Sequence, residues 1–324
     1  MIRATRGRLR MGWIGWTVVT FVLLAGLGFV AFRHALETNA VGVLNTADRL
    51  LNGGDGAIRQ VAAVRYGADP AQKLEMFVPA AAREPLPIVV FVHGGSWASG
   101  DPHDYRFMAR TLCAEGYAVV LAGYRLYPHA RYPAMLEDGA AALRWVRDNA
   151  ARLGGDPARI ALMGHSAGAY NVVMLTLDRQ WLRGAGVDEH AIRGTVSLAG
   201  PFDFLPFDSP ATIHSFGKAP DPSMTQPINF VRADAPPMLL VTGDSDTRVK
   251  PRNSRRLARL LSDAGAPNQP VVLRGVTHES IIMAFARPFS RDRTVLDAVL
   301  PFLARVTARA PDAPASVAVQ AAAR

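Results

Sequence analysis

Five consecutive residues, Gly164-His165-Ser166-Ala167-Gly168, have the types and spacing that turn a serine hydroxyl into a nucleophile. A serine on a sharp turn from strand into helix is held in strained backbone geometry, with its oxygen pushed out past the sheet edge. Neighbouring chain must pass close to such a turn, and glycines on either side permit it. The helix that follows aims its free N–H groups at the same spot, where negative charge is welcome. The flanks fit this reading. Ile160-Ala161-Leu162-Met163 is an apolar run expected to form a buried strand, and Ala169, Val172, Val173 and Thr176 would share one face of the following helix.

A serine hydroxyl needs a base, normally a histidine oriented by a carboxylate. Of the eight histidines, His34 borders an apolar N-terminal segment, while His103, His129, His190 and His214 lie in polar, surface-like stretches. His93 and His165 sit in glycine-rich turns and are read as loop structure. His278 remains: it follows a strand by the short loop Arg274-Gly275-Val276-Thr277 and is the expected base. Asp246, in the loop after the preceding strand, is the expected carboxylate, with Asp244 as its rival; an aspartate after glycine also commonly forms a turn. The order Ser166, Asp246, His278 suits a nucleophile on a strand-to-helix turn. Attack on a carbonyl creates an oxyanion that needs preorganised N–H donors. Ala167 supplies one candidate, and Gly94 and Gly95 in His93-Gly94-Gly95-Ser96-Trp97 supply others, since no side chain blocks approach. Trp97 would line the mouth of the substrate pocket or anchor the core.

These groups must be carried to one place. Val61–Tyr66 and Gln72–Val78 read as paired strands, followed by apolar strands at 88–92, 118–122, 160–163, 194–199, 238–243 and 271–273. Helical patterns fill 104–115, the stretch from Pro133 to about Leu153, 252–264 and 278–306. Residues 200–236 read as an irregular excursion over one sheet edge. Alternating apolar strands and helices predict an α/β fold: a mostly parallel sheet of about eight strands with helices on both faces. Ligands in such sheets sit beyond the carboxyl ends of the strands, where 93–97, 164–168 and 243–246 all fall.

The set His93-Gly94-Gly95-Ser96-Trp97, Gly164-His165-Ser166-Ala167-Gly168, Gly243-Asp244-Ser245-Asp246 and Gly275-Val276-Thr277-His278 resembles the α/β-hydrolase superfamily, in its carboxylesterase and hormone-sensitive-lipase-like branch. Tyr124-Arg125-Leu126-Tyr127-Pro128, Tyr132-Pro133 and Glu137-Asp138 resemble it too. The resemblance runs from about Ile58 to Val306. It implies the Ser166–His278–Asp246 triad, an oxyanion hole at Gly94, Gly95 and Ala167, no metal and no cofactor. Ser96 stands where lipase-like members often have a third glycine, so which of Gly94, Gly95 or Ser96 donates stays open. Thr277 departs from the small residue usual before the histidine.

The 324 residues carry a formal charge of +9, almost all of it arginine and scattered. No basic run is interleaved with aromatics, so nucleic acid is not an expected partner. The single cysteine, Cys113, excludes an internal disulfide and reads as a buried small hydrophobe. Residues 11–32 form a run of 22 uncharged, largely apolar residues behind Arg3, Arg6, Arg8 and Arg10. That length suits one transmembrane helix with the N-terminus cytoplasmic. A cleaved signal peptide is the alternative, though its cleavage site would be poor. The expected plan is an anchor or signal at 1–33, a stalk at 34–57 in which 40–51 forms a short helix packed on the domain or the membrane, a catalytic domain at 58–307 and a low-complexity tail at 308–324. The expected protein is a membrane-anchored, extracytoplasmic serine carboxylesterase acting on small to medium acyl esters. Arylformamidase or sugar-ester deacylase chemistry would use the same site. A non-catalytic binding protein on a hydrolase scaffold is the reading of another class.

Overall fold

The computed structural model describes residues 13–309; Arg3 to Arg10, the first residues of the apolar run and the tail from 310 onward lie outside the described residues. Eight strands form one sheet: β1 (Ile58–Arg65), β2 (Lys73–Pro79), β3 (Leu86–Val92), β4 (Ala118–Ala122), β5 (Gly155–His165), β6 (Ile192–Leu198), β7 (Met238–Gly243) and β8 (Val271–Leu273). Their order is β1-β2-β4-β3-β5-β6-β7-β8. β1 pairs antiparallel with β2 and β2 with β4, and every other pair is parallel. The expected eight-stranded, mostly parallel α/β sheet is therefore present. All of β4 and the last five residues of β3 are buried, as parallel strands covered on both faces must be. Alternation then assigns the faces. Val89 and Phe91 join one core with α2 (Arg106–Ala114) and α9 (Thr294–Val306), while Ile88, Val90 and Val92 join another with α3 (Ala134–Asn149) and α4 (Ala167–Leu177).

Four elements differ from the sequence reading. The helical stretch expected over 278–306 is two helices, Ser280–Met283 and α9, with a run of turns between them. β5 begins at Gly155, five residues before the apolar run, because Gly155 and Asp156 pair with Leu86 and Pro87 ahead of a bulge. The bulge accommodates Pro157, which cannot donate to a ladder. All eleven residues of α4 are buried, so its apolar side chains are not confined to one face. Its far side is covered by α7 (Arg252–Asp263), with Val173 and Leu177 packed beside Leu257 and Leu261. Finally, 200–236 leaves the interior strand β6, not an edge. It forms α6 (Pro210–Phe216) and two short 3-10 turns; Phe204 and Phe216 fold onto Trp97 and Tyr170, and Phe207 packs behind them on Phe204 and Phe216.

The N-terminal helix α1 (Trp13–Leu51) is not a single straight rod. It is bent by 103° between Val19–Ala35 and Glu37–Leu51, and Asn39 has non-helical φ/ψ of −151° and 72°. Among the described residues no single helix is long and apolar enough to cross a membrane; the bent pair passes by length and composition. Residues 40–51, expected to be a short helix packing on the domain or the membrane, are helical and bound to the domain. Val41 and Leu44 pack on the core. Asp48, fully buried, pairs with the Arg110 guanidinium and accepts the Arg287 N–H at 2.6 Å. Arg110 also reaches Asp55 at 2.6 Å and the side chain of Asn45. Removing one partner of a buried pair strands the other charge, at a cost of about 3–5 kcal/mol. Asp48→Ala should lower unfolding free energy by about that amount in urea titration. A loss below about 0.5 kcal/mol, the size of an ordinary surface change, would show that this helix is not docked.

Candidate active site

The turn between β5 and α4 is built by close approach. A Cβ on Gly164 would overlap the carbonyl of Gly168, and a Cβ on Gly168 would overlap that of Val92 at the end of β3. Both positions therefore require glycine. Between them Ser166 adopts φ 54°, ψ −119°, a strained conformation for a residue with a side chain. It is held there by its N–H to Leu198 O at 2.9 Å and by Tyr170 N–H to its own carbonyl at 3.1 Å. The strain lifts Ser166 Oγ clear of the backbone while α4 starts at Ala167 beneath it.

The structure brings the three expected side chains into one series. His278 Nε2 lies 2.8 Å from Ser166 Oγ, and His278 Nδ1 lies 2.8 Å from Asp246 Oδ2. The pairing with Asp246 assigns the proton to Nδ1 and leaves the Nε2 lone pair facing the serine. Burial of Asp246 would raise its carboxyl, but the hydrogen bonds from His278, Val249 N–H and Arg248 N–H outweigh it and hold the group below the usual carboxylate range. It is thus kept ionised against the imidazole. Asp244, the rival, does not reach His278. It accepts from Gly275 N–H at 2.7 Å and Ser245 Oγ at 2.9 Å, so it ties the β7 and β8 loops together as a turn former. Thr277 also has a role: its N–H donates to Ser280 Oγ at 2.8 Å and its Oγ1 accepts Ser280 N–H at 3.1 Å, capping α8 (Ser280–Met283) directly after the histidine.

The second glycine-rich loop lies against the first. A Cβ on Gly94 would stand 3.1 Å from both Ser166 Cβ and His165 Nδ1. Gly95 has φ 115°, and a Cβ there would overlap Ser99 O. Ser96 and Trp97 follow at φ 55° and 56°. His93 pins this loop: its Nδ1 lies 2.7 Å from Gly94 O, and its ring stacks on Tyr124 and Tyr105. Ala167, buried, opens α4 directly after the serine. Trp97 is only 4% exposed; its Nε1–H donates to Asn171 Oδ1 at 3.2 Å, and it meets Tyr170 and Phe216 edge-on. Of the two sequence readings of Trp97, the buried anchor is the one found: it is not an open pocket wall but the seat on which 204–216 rests.

His165, expected to serve loop structure, does so through a partner that the sequence did not show. His165 Nε2 lies 2.9 Å from the carbonyl of His278, with the two rings 4.9 Å apart. The partners are 113 positions apart, and nothing local signals the contact. Burial, reinforced by the neighbouring His278, lowers the His165 pKa to about 3. Burial lowers His93 to about 4. Both rings are therefore neutral structural parts of the site.

A family model described as BD-FAE matches residues 74–261, more than half of the chain. Carboxylesterase NlhH of Mycobacterium tuberculosis is 47% identical over 109 residues, covering 33% of this chain and 34% of that protein. The probable isoprenylcysteine alpha-carbonyl methylesterase ICME of Oryza sativa subsp. japonica is 27% identical over 266 residues, covering 73% of this chain and 62% of its own length. The chain thus spans between about a third and three fifths of these curated relatives. A solved structure described as a truncated carbohydrate esterase from gut microbiota superposes with a TM-score of 0.68 at 22% identity, covering 79% of this chain and 98% of that one. The shared architecture is the α/β-hydrolase fold.

The two buried histidines set the acid limit of stability. Unfolding releases each to its ordinary value near 6.5, so between there and about pH 4 the unfolded chain binds more protons than the folded one. Their stabilisation is full above pH 6.5 and is lost as pH falls, by about 1.4 kcal/mol per pH unit for each ring. The urea midpoint should fall steeply from pH 6.5 to 4.5, and His93→Gln should roughly halve that slope. A midpoint flat across this window would show that the rings are not buried neutral.

Proposed function

Because the chain belongs to the BD-FAE family, we propose that it is a serine hydrolase that cleaves carboxylic esters of small to medium acyl groups through an acyl-enzyme. The observation that carries this reading is the unbroken series Ser166 Oγ, His278 and Asp246, each link 2.8 Å. In the reading, His278 Nε2 takes the serine proton as Oγ attacks the ester carbonyl. Asp246, held ionised, stabilises the imidazolium and keeps its ring oriented. Ala167 N–H and the N–H groups of the Gly94–Gly95 loop receive the oxyanion. The imidazolium returns its proton to the leaving alcohol. Water then repeats the sequence against the acyl-serine, with His278 again as base, and frees the acid.

The limit on acyl size rests on residues 200–236, which form only α6 and two short 3-10 turns, an excursion short for the lid that long-chain substrates call for. The same reading takes the N-terminal helix as a membrane anchor with the catalytic domain extracytoplasmic. Its support is the 22-residue uncharged run behind four arginines, and Phe21, Leu23, Leu24, Leu27, Phe29 and Val30, each more than 60% exposed with no protein covering them.

A p-nitrophenyl ester series on the full chain in detergent should give the highest kcat/KM for acetate to butyrate and a steep fall for long chains. Ser166→Ala should lower kcat by about ten-thousandfold or more, and Asp246→Asn by about ten-thousandfold. N-formyl and acetylated-sugar substrates run in parallel separate ester from amide and sugar-ester preference. Equal rates for wild type and Ser166→Ala would end the proposal.

A further inference from the structure

After its bend, helix α1 carries apolar residues on two opposite sides. Val41, Leu44 and Asp48 face the domain. Val43, Ala47 and Leu50, spaced by four and three, fall on the other side of the helix. Leu50 is 75% and Leu51 58% exposed, and beside them Phe289 is 45% exposed on the turn between α8 and α9. Arginines surround these apolar groups: Arg49, Arg287, Arg291 and Arg293, all exposed. Leu51, Arg287, Pro288, Ser290 and Arg291 bound an open hollow of about 540 Å³. Asp55 lies 3.5 Å from Arg49 and Asp297 3.1 Å from Arg293. The Arg287 guanidinium meets only the neutral Asn52 Oδ1, at 3.3 Å, and among the described residues neither Arg287 nor Arg291 makes an ion pair.

We propose that this face, formed by the outer side of α1 at Val43, Ala47, Leu50 and Leu51 together with residues 287–293, docks on the surface of an anionic phospholipid bilayer, with the exposed leucines and Phe289 in the headgroup–acyl boundary and Arg287 and Arg291 on lipid phosphates. Apolar side chains flanked by arginines are what an interfacial surface requires. The choice of a bilayer over a protein partner rests on continuity. The face adjoins the apolar segment read above as the anchor, and the 103° bend turns the second half of α1 across the axis of the first. If the first half crosses the bilayer steeply, the second lies nearly flat along it. The same helix is tied at its upper end to the turn after the Gly94–Gly95 loop, by Asn39 Nδ2 to Asp104 Oδ2 at 2.8 Å and Asn45 Nδ2 to His103 O at 3.2 Å. Docking would therefore hold that turn, and the Gly94–Gly95 loop before it, near the bilayer, not a stalk's length from it.

The proposal extends the anchor reading but is tested apart from it. A bimane label on Ser290→Cys in the full chain reports the face selectively, since Cys113 is buried. In phosphatidylcholine vesicles containing phosphatidylglycerol, lipids spin-labelled near the headgroup should quench the label strongly. Quenching should weaken without phosphatidylglycerol, and Arg287→Gln/Arg291→Gln should lower the apparent lipid affinity of the face about tenfold or more. Thr46→Cys, on the outer side of α1, gives a second label should the first variant fail to fold. Alkaline extraction of the same vesicles reports insertion separately. An extraction-resistant protein with no quenching at either label overturns the docking and leaves the anchor. Quenching of an extractable protein keeps the docking and removes the anchor. Energy transfer between labelled copies without lipid quenching assigns the face to self-association and overturns the proposal.

Discussion

Everything at this site depends on backbone meeting backbone without a side chain between. The turn at Ser166 can exist only because α4 passes so close to the end of β3 that position 168 must lack a Cβ, and so close to β5 that position 164 must lack one too. The ends of β7 and β8 repeat the device. A Cβ on Gly243 would overlap the carbonyl of Val276, and Asp244 bridges the same two loops through Gly275 N–H. These contacts set the separation between the β5, β7 and β8 loops. An alcohol, an imidazole and a carboxylate drawn from positions 166, 278 and 246 fall into hydrogen-bonded series only when those separations are right within a few tenths of an ångström.

Rigidity is completed by polar groups that carry no charge. His165 fastens the carbonyl of His278 to the serine turn, so His278 is held from both its ring and its main chain. His93 fastens the Gly94–Gly95 loop and is clamped between Tyr105 and Tyr124. Protonating either ring would put an unsolvated cation beside the serine turn or the Gly94–Gly95 loop, and burial keeps both neutral through the physiological range. Asp246 is the contrast. Three N–H donors, two from the main chain and one from His278, keep it charged despite its burial, so one region holds neutral and ionised groups a few ångströms apart.

Local chemistry decided what could be read from the residues alone. Apolar runs bounded by turn residues marked all eight strands, and Gly164 to Gly168 with the order Ser166, Asp246, His278 pointed to the side chains that meet. Those features are encoded within a few residues of one another. The features that stayed hidden are long-range or break a local rule. The early part of β5 contains Pro157 and the Asp156–Arg159 pair, which look like loop until the bulge against β3 is seen. The contact of His165 with His278 joins two loops that nothing in either segment relates. Trp97 could be read as wall or as anchor, because the outcome depends on Phe204, Phe207 and Phe216 arriving from a segment with no periodicity of its own.

The segment between the apolar run and β1 was the least legible, and its physics explains why. Asp48 and Arg110 sit in different elements, and only their meeting decides between the domain and the membrane as the surface on which 40–51 packs. A buried ion pair contributes little net stability compared with an apolar pair of the same size, since desolvation offsets most of the attraction. Its effect is directional. Asp48 accepts from Arg110 and from Arg287 N–H, while Arg110 also bonds Asp55 and Asn45, and no rotation of α1 about its axis keeps all four contacts. An apolar seam alone would leave the helix free to turn, because it also has apolar residues on its outer side. The buried pair selects which of the two apolar faces is inside and which is outside. Whatever meets Leu50, Leu51 and Phe289 therefore meets them in one fixed orientation relative to the serine, through Asn39, Asp104 and the loop that begins at His93.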